Sequence, residues 1–132
     1  EKLKWAIGAD VPQDECCITC SSCEVIAREC SFNGCVSPAG DKTGRGATTI
    51  NRAYLQLRDC QFRNLLVVVK CFGGGRIDVI EPDKKGEYRG NSVGAYTQFS
   101  GLIMLMSGIP STLGGTGNTI DGGAIVQDGK FI

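Results

Sequence analysis

The clearest signal in the chain is one alternating pattern of apolar and polar residues that occurs twice. The first copy covers residues 25–32 (VIARECSF) and the second covers residues 55–62 (LQLRDCQF). Each copy runs apolar, spacer, apolar, Arg, acid, Cys, spacer, Phe, and a turn-forming pair follows. Alternation with a period of two is typical of a β-strand with one buried face. The chain is therefore expected to be rich in β-strands.

The second copy also predicts a bend inside the repeat. Leu55 and Leu57 face one side, whereas Cys60 and Phe62 resume the alternation one residue out of phase. A bend or bulge near Arg58-Asp59 would return all four side chains to the same side. Further short strands with turns between them are predicted at 65–71, 76–80, 95–106 and 122–127, and no segment has a convincing amphipathic helical pattern.

Two similar copies that cannot bury their own apolar faces are expected to stack on each other. Stacking would place Leu55, Leu57 and Phe62 over Val25, Ala27 and Phe32. It would also place Cys60 over Cys30, as part of a column of small side chains in the core.

The segment 55–64 (LQLRDCQFRN) resembles the right-handed parallel β-helix class, which includes pectate-lyase-like proteins and phage tailspikes. The resemblance covers residues 23–72 well and 76–132 loosely. It implies an all-β solenoid of about four rungs. An antiparallel β-sandwich or barrel is the alternative, because about eight short strands would also suit it.

Length and composition favour one unit. The 132 residues form a single β-rich domain or a fragment of a longer β-helical protein, with 1–15 as an entry segment and 107–123 as a Gly/Ser/Thr-rich extension. The formal net charge of +0 argues against nucleic-acid binding, and the apolar runs are too short for membrane insertion. The chain has no His, so a Ser-His-Asp or Cys-His mechanism within it is excluded.

The eight cysteines leave three interpretations open. A four-cysteine zinc site could use Cys17, Cys20, Cys30 and Cys35. Some disulfides, for example Cys30–Cys60, would suit a secreted protein. Buried or partly exposed thiols are the third interpretation, and it is favoured because free Cys behaves as a small hydrophobe. No cofactor is expected.

Candidate binding residues are few. Tyr54, Tyr88, Tyr96 and Phe99 are aromatic side chains that could stack on sugars. The three tyrosines are taken as the glycan-binding candidates, together with Arg58 and Asp59, which could contribute charge. The alternative for Arg58 and Asp59 is a solvated ladder of salt bridges with the equivalent residues of the first copy. No catalytic residue is predicted.

The β-helix resemblance implies a structural or receptor- and glycan-binding module of an extended oligomeric surface protein. A phage tail spike or tail fibre, as a homotrimer, is the leading hypothesis, which would place the protein on a virion, outside the cell or at a cell surface. A fragment of a polysaccharide lyase or glycoside hydrolase is one alternative, and it would need carboxylates or an Arg clustered in one groove. A small secreted Cys-rich interaction protein is the other.

Overall fold

The backbone winds into a parallel β-solenoid of about four turns. The structure is a computed structural model that describes residues 4–6, 16–36 and 39–132, with residues 4–6 and 16 described by their backbone. This described part contains β-strands and no α-helix, and so it holds no helix that could cross a membrane. The predicted all-β class and the predicted solenoid are therefore confirmed.

A four-stranded and a nine-stranded sheet, both mainly parallel and with strands numbered here in chain order, form the three faces of the solenoid. The nine-stranded sheet covers two faces because its longest strand, Val93–Leu105, runs from one face to the next. Face 1 consists of β2 (Cys16–Ser21), β7 (Arg45–Ile50), β10 (Val67–Phe72) and the first parts of β13 (Val93–Leu105) and β14 (Gly117–Gln127). Face 2 consists of β3 (Glu24–Arg28), β8 (Tyr54–Arg58), β11 (Arg76–Ile80) and the second parts of β13 and β14. Face 3 consists of β1 (Lys4–Ala6), β4 (Ser31–Asn33), β9 (Gln61–Arg63) and β12 (Glu87–Arg89).

Two further strand pairs are antiparallel. A small hairpin of β5 (Cys35–Val36) and β6 (Lys42–Thr43) leaves the solenoid between the first and second coils. The short strand β15 (Lys130–Phe131) runs back along the end of β14. Apart from β1, the predicted entry segment 1–15 lies outside the described residues.

The two copies of the repeat lie in register on neighbouring coils, as predicted. The paired residues are Val25 with Leu55, Ala27 with Leu57, and Phe32 with Phe62. Cys30 and Cys60 are both buried at the corner that follows face 2. Inward-pointing apolar side chains at equivalent repeat positions are therefore stacked on each other, so that every coil contributes to one continuous core.

An aromatic stack forms the interior of face 3. The rings of Phe32 and Phe62 are 4.9 Å apart and nearly parallel, with an angle of 5° between their planes. Tyr88 continues the stack at 5.7 Å from Phe62. Because the ring of Tyr88 lies on Phe62 and its hydroxyl oxygen is buried, this tyrosine belongs to the core rather than to an open sugar-stacking surface.

The chain turns its corners through left-handed backbone conformations. Glu29 (φ 51°) and Asp59 (φ 52°) turn the chain from face 2 to face 3, at the place where the phase of the repeat predicts a bend. A non-glycine residue rarely adopts a positive φ, and acidic or amide side chains tolerate it better than most. The shared acidic position of the repeat is therefore a corner position.

Asn91 connects three successive coils through its side-chain amide. Its Oδ1 accepts a hydrogen bond from the backbone N–H of Leu65 (3.0 Å), and its Nδ2 donates to the carbonyl oxygens of Phe62 (3.2 Å) and Leu113 (2.8 Å). A buried polar group is stable when its hydrogen bonds are made. Asn91 therefore supports the backbone at a corner where the sheet ladder alone cannot.

The segment 107–123, predicted as an extension, is part of the stack. Ile109 and Leu113 are buried in the core, and Leu113 accepts the hydrogen bond from Asn91. β14 starts at Gly117 and pairs in parallel with β13 along most of its length. The low apolar content of this segment reflects tight corners between strands, which need few large side chains.

The aromatic stack yields a prediction about stability. Replacing Phe62 by Ala removes the central ring between Phe32 and Tyr88, and we expect it to lower the free energy of unfolding by about 3–5 kcal/mol. Replacing the outward-facing Gln56 by Ala should change it by about 0.5 kcal/mol or less. Urea unfolding followed by circular dichroism measures both, and equal losses would contradict the proposed core.

Candidate functional site

A polar crevice lies at the corner between face 2 and face 3. Its volume is about 450 Å³, and it is lined by Glu29, Ser31, Asp59, Gln61 and Lys85. None of these side chains is apolar. Cavities of about 300–1,000 Å³ are the usual size of small-ligand sites, so the crevice is large enough to hold a ligand.

The repeat builds most of this crevice. Glu29 and Asp59 occupy the same left-handed corner position on two neighbouring coils, and Ser31 and Gln61 are paired in register at the start of the face 3 strands. The hydroxyl of Ser31 donates a hydrogen bond to Gln61 Oε1 at 3.2 Å. Only Lys85 comes from outside the repeat, from the loop between β11 and β12.

Asp59 forms the base of the crevice and holds this loop in place. Its side chain is only 4% exposed. Its carboxylate accepts hydrogen bonds from the backbone N–H of Asp83 (3.3 Å) and of Lys85 (3.1 Å). Hydrogen bonds to a carboxylate are stronger than those between neutral groups. Asp59 therefore fixes the loop 81–86 over the corner.

The side chain of Lys85 closes one side of the crevice. Its Nζ lies 3.2 Å from Glu29 Oε1, so the ion pair joins the loop of the third coil to the first coil. The hydrogen bond to Glu29 raises the pKa of Lys85 above its usual value, and Lys85 is fully charged at neutral pH. The crevice thus has an ammonium group at its edge and a carboxylate at its base.

Polar side chains continue from the crevice across the outside of face 3. Arg63 Nη2 donates to Gln61 Oε1 at 3.1 Å, and Arg63 Nε lies 2.8 Å from Glu87 Oε1. Arg89 Nε is also 2.8 Å from Glu87 Oε1. The hydrogen bond from Arg63 lowers the pKa of Glu87. Face 3 therefore presents a connected network of charged and amide groups beside the crevice.

Face 2 carries a second polar group around Tyr54. The hydroxyl of Tyr54 donates to Asp78 Oδ2 at 2.8 Å, and Arg76 Nε lies 2.7 Å from Asp78 Oδ1. Burial, and next the hydrogen bond to Asp78, raise the pKa of Tyr54. Arg58 is also on this face, in register with Arg28 on the first coil.

The five residues predicted to bind glycan are thus spread over different parts of the solenoid. Tyr96 lies on the outside of face 1, where the Nζ of Lys70 is 4.6 Å from the centre of its ring. Of the five, only Asp59 lines the crevice. The sequence did contain a signal for three of the missed residues, because Glu29, Ser31 and Gln61 occupy repeat positions next to the shared Cys.

Among the residues that the structure describes, the four cysteines considered as zinc ligands do not come together as a metal site. Cys17 and Cys20 lie in β2, Cys30 lies at the corner after face 2, and Cys35 lies in β5. Within residues 16–36 and 39–132, no three His, Cys, Asp or Glu side chains are placed to hold a metal ion. Burial raises the pKa of the Cys60 thiol to about 12 and that of Cys20 to about 11, so neither is a thiolate at neutral pH.

No protein-family model, curated protein or solved structure matches this chain.

The burial of the cysteines predicts their reactivity. Cys20, Cys30, Cys60 and Cys71 are buried, whereas Cys23 is exposed. In the native protein an alkylating reagent should therefore modify Cys23 within minutes and the four buried thiols only after unfolding. Mass spectrometry of peptides, after labelling with and without guanidinium chloride, measures this order. A Cys30–Cys60 disulfide, or early labelling of Cys60, would show that the thiols are not inert parts of the core.

Proposed function

We propose that the protein is a carbohydrate-binding β-solenoid module that recognises a surface glycan through the corner crevice. We propose further that it belongs to an extended oligomeric surface protein of the phage tail spike or tail fibre kind, located on a virion or outside the cell. The observation that carries the glycan-binding proposal is the crevice itself, which is open to solvent and lined only by polar side chains.

The chemistry of the crevice suits a sugar. Sugar hydroxyls both donate and accept hydrogen bonds, so a sugar site needs both kinds of partner close together. The carboxylate of Glu29 accepts, the ammonium of Lys85 donates, and the amide of Gln61 can do both. A few well-placed polar groups of this kind give orientation and specificity to small-ligand sites.

The geometry of the crevice is also held before any ligand arrives. Asp59 anchors the loop that carries Lys85, and Lys85 is paired with Glu29. Ser31 and Gln61 stand on strands whose backbones are paired on neighbouring coils. Groups that are already ordered lose less conformational entropy on binding.

An enzymatic function has weaker support. The carboxylate of Asp59 accepts two backbone hydrogen bonds beneath the loop, and that of Asp78 is engaged by Arg76 and Tyr54 on face 2. Both acids thus have structural partners. The lyase or hydrolase alternative stays a prediction, as does the secreted interaction protein.

The crevice predicts a specific loss of binding. On an array of bacterial surface polysaccharides the protein should bind at least one glycan. Replacing Gln61 by Ala removes an amide from the crevice, and we expect the affinity for that glycan to fall about tenfold, which corresponds to a strong hydrogen bond. Isothermal titration calorimetry with the purified glycan measures the change.

The matched control is Gln56→Ala. Gln56 is the same residue type on a neighbouring face and donates to the hydroxyl of Tyr54 at 3.2 Å, so the two variants remove the same group from different places. Equal affinity in all three proteins would place the glycan elsewhere, and an array without any bound glycan would refute the proposed function.

The proposed oligomer has its own support at the end of the solenoid formed by the last coil. Met104 and Val126 point outward from face 2 on neighbouring strands. Phe131 of β15 pairs with Val126 and is 81% exposed. Contiguous apolar side chains on a surface are typical of interfaces between proteins, and we propose that they contribute to a homotrimer.

Light scattering tests this proposal. The wild-type protein should have three times the chain mass of 14.0 kDa, and Phe131→Asp should reduce it to a single chain because a charge would be buried in the interface. Ile26→Asp, at an apolar residue on the first coil that is 50% exposed, should leave the trimer intact. A monomeric wild-type protein would contradict the proposal.

A further inference from the structure

Two cysteines of the first coil meet at the corner between face 1 and face 2. Cys20 lies near the end of β2, and Cys23 directly precedes β3. The chain bends between them at Ser22, whose φ is 53°. Residues three positions apart across a tight turn have Cα atoms within about 7 Å of each other, and a disulfide needs about 4.4–6.8 Å. The corner is therefore of the kind that a disulfide can bridge.

Hydrogen bonds to the second coil fix this corner. The hydroxyl of Ser22 donates to the carbonyl oxygen of Asn51 at 3.1 Å, and Asn51 Nδ2 donates to the hydroxyl oxygen of Ser21 at 2.9 Å. The carbonyl oxygen of Cys23 accepts a hydrogen bond from the backbone N–H of Tyr54 at 2.9 Å. Groups that are held in place react with each other faster than the same groups on a flexible chain. The corner thus orders the two cysteines before either of them reacts.

The two thiols differ in their access to solvent but interact with each other. Cys20 is only 2% exposed and packs in the core, whereas Cys23 is exposed. Burial, and next the charge and hydrogen-bond interactions with Cys23, raise the pKa of Cys20 to about 11. An accessible thiol beside a second, resolving thiol is typical of redox-active cysteine pairs. Here Cys23 is placed to meet a compound from solvent, and Cys20 is placed to meet Cys23.

Cys30 and Cys60 are also close to each other but differ from this pair. Both are buried, and their thiols donate to backbone carbonyl oxygens, Cys30 to that of Arg28 at 3.3 Å and Cys60 to that of Ala27 at 3.5 Å. The reactivity of a thiol depends on its exposure, so a compound in solvent reaches neither of them in the folded protein. The pair at 20 and 23 is distinguished from them by having one member outside the core.

The corner also connects two strands that have little backbone support. β2 and β3 are the terminal strands of the nine-stranded sheet, so within the described part of the chain each of them pairs with a neighbour on one edge only. The end units of a solenoid have one neighbour rather than two, so they are the least supported. A covalent bond between Cys20 and Cys23 would tie these two strands to each other at an end of the sheet.

We propose that Cys20 and Cys23 are a redox-active dithiol, which is oxidised to a disulfide by exchange with a small disulfide compound such as oxidised glutathione. The thiolate of Cys23 attacks one sulfur of that compound and forms a mixed disulfide, and the leaving half takes up the proton that Cys23 lost. Cys20 then gives up its proton and attacks the sulfur of Cys23, and the second half leaves with that proton. Two protein thiols are oxidised while one small disulfide is reduced to two thiols. This inference does not depend on glycan binding.

The test equilibrates the reduced, intact chain with mixtures of reduced and oxidised glutathione. Free thiols are blocked with iodoacetamide, disulfides are then reduced, and the released thiols are labelled with N-ethylmaleimide, so that peptide fragmentation in a mass spectrometer assigns each cysteine. Intact mass reports any bound glutathione. We expect Cys20 and Cys23 to become oxidised together, without bound glutathione. The ratio of disulfide to dithiol should be about tenfold higher in the native protein than in guanidinium chloride, because the fold holds the two sulfurs together.

Three variants separate the roles of the two thiols. In Cys20→Ala, Cys23 should stay as a mixed disulfide with glutathione, because no second thiol displaces it. In Cys23→Ser, Cys20 should stay reduced, because oxidised glutathione does not reach the core. This exposed substitution should also keep the urea midpoint of the reduced wild-type protein, which separates its result from misfolding. Cys35→Ser is the matched control: Cys35 is a partly exposed thiol in β5, and its loss should leave the oxidation of Cys20 and Cys23 unchanged.

Oxidation should also raise the urea midpoint of the wild-type protein, since a fold that favours a disulfide is stabilised by that disulfide to the same degree. Several results would overturn the inference. They are absence of the disulfide between Cys20 and Cys23 at every glutathione ratio, an equal ratio of disulfide to dithiol in native and denatured protein, or release of glutathione from Cys23 in Cys20→Ala. A disulfide from Cys23 to a different cysteine, or a lower urea midpoint after oxidation, would equally reject it.

Discussion

Parallel pairing between successive coils is the constraint on which the rest of this structure depends. Each coil takes its backbone hydrogen bonds from the coils before and after it, so a residue is always beside its equivalent one coil away. Phe32 beside Phe62 and Val25 beside Leu55 follow directly from this rule. The same rule acts outside, where it places Ser31 beside Gln61 and gives the crevice its regular lining. The same register therefore arranges both the core and the lining of the candidate site.

This constraint explains what the sequence could predict. The repeated segments 25–32 and 55–62 carry the period, the bend and the shared Cys, and from them the stack of the first two coils follows residue by residue. Later coils lose the likeness in sequence, and the pairing of β13 with β14 shifts register at two places, because only inward size and corner conformation are required of them. Residues 107–123 illustrate this: two buried side chains, Ile109 and Leu113, are sufficient to close a coil.

The candidate site was less predictable for a related reason. An aromatic residue type alone does not indicate whether the side chain points inward or outward. Tyr88 has the inward position that Phe32 and Phe62 hold on earlier coils, so it cannot serve as an open sugar contact. The repeat itself was the better guide, since residues beside the shared Cys line the crevice. Neither the aromatic residues nor the repeat could predict the position of Lys85, because it depends on a loop that Asp59 holds through backbone hydrogen bonds.

The corner positions are the least constrained positions in such a fold. A strand position is constrained by burial on one side and by neighbouring coils on both edges, whereas a corner position needs only a backbone that accepts a positive φ. Gly73 and Gly122 adopt a positive φ without strain, and Asp59 adopts one while its carboxylate accepts hydrogen bonds from the backbone of a loop. Arg52 adopts one with a φ of 60° and an exposed side chain, and Phe99 does so with a φ of 51°. The corners of this solenoid therefore accept large as well as small side chains, and it is at the corners that the sequence can vary most without loss of the fold.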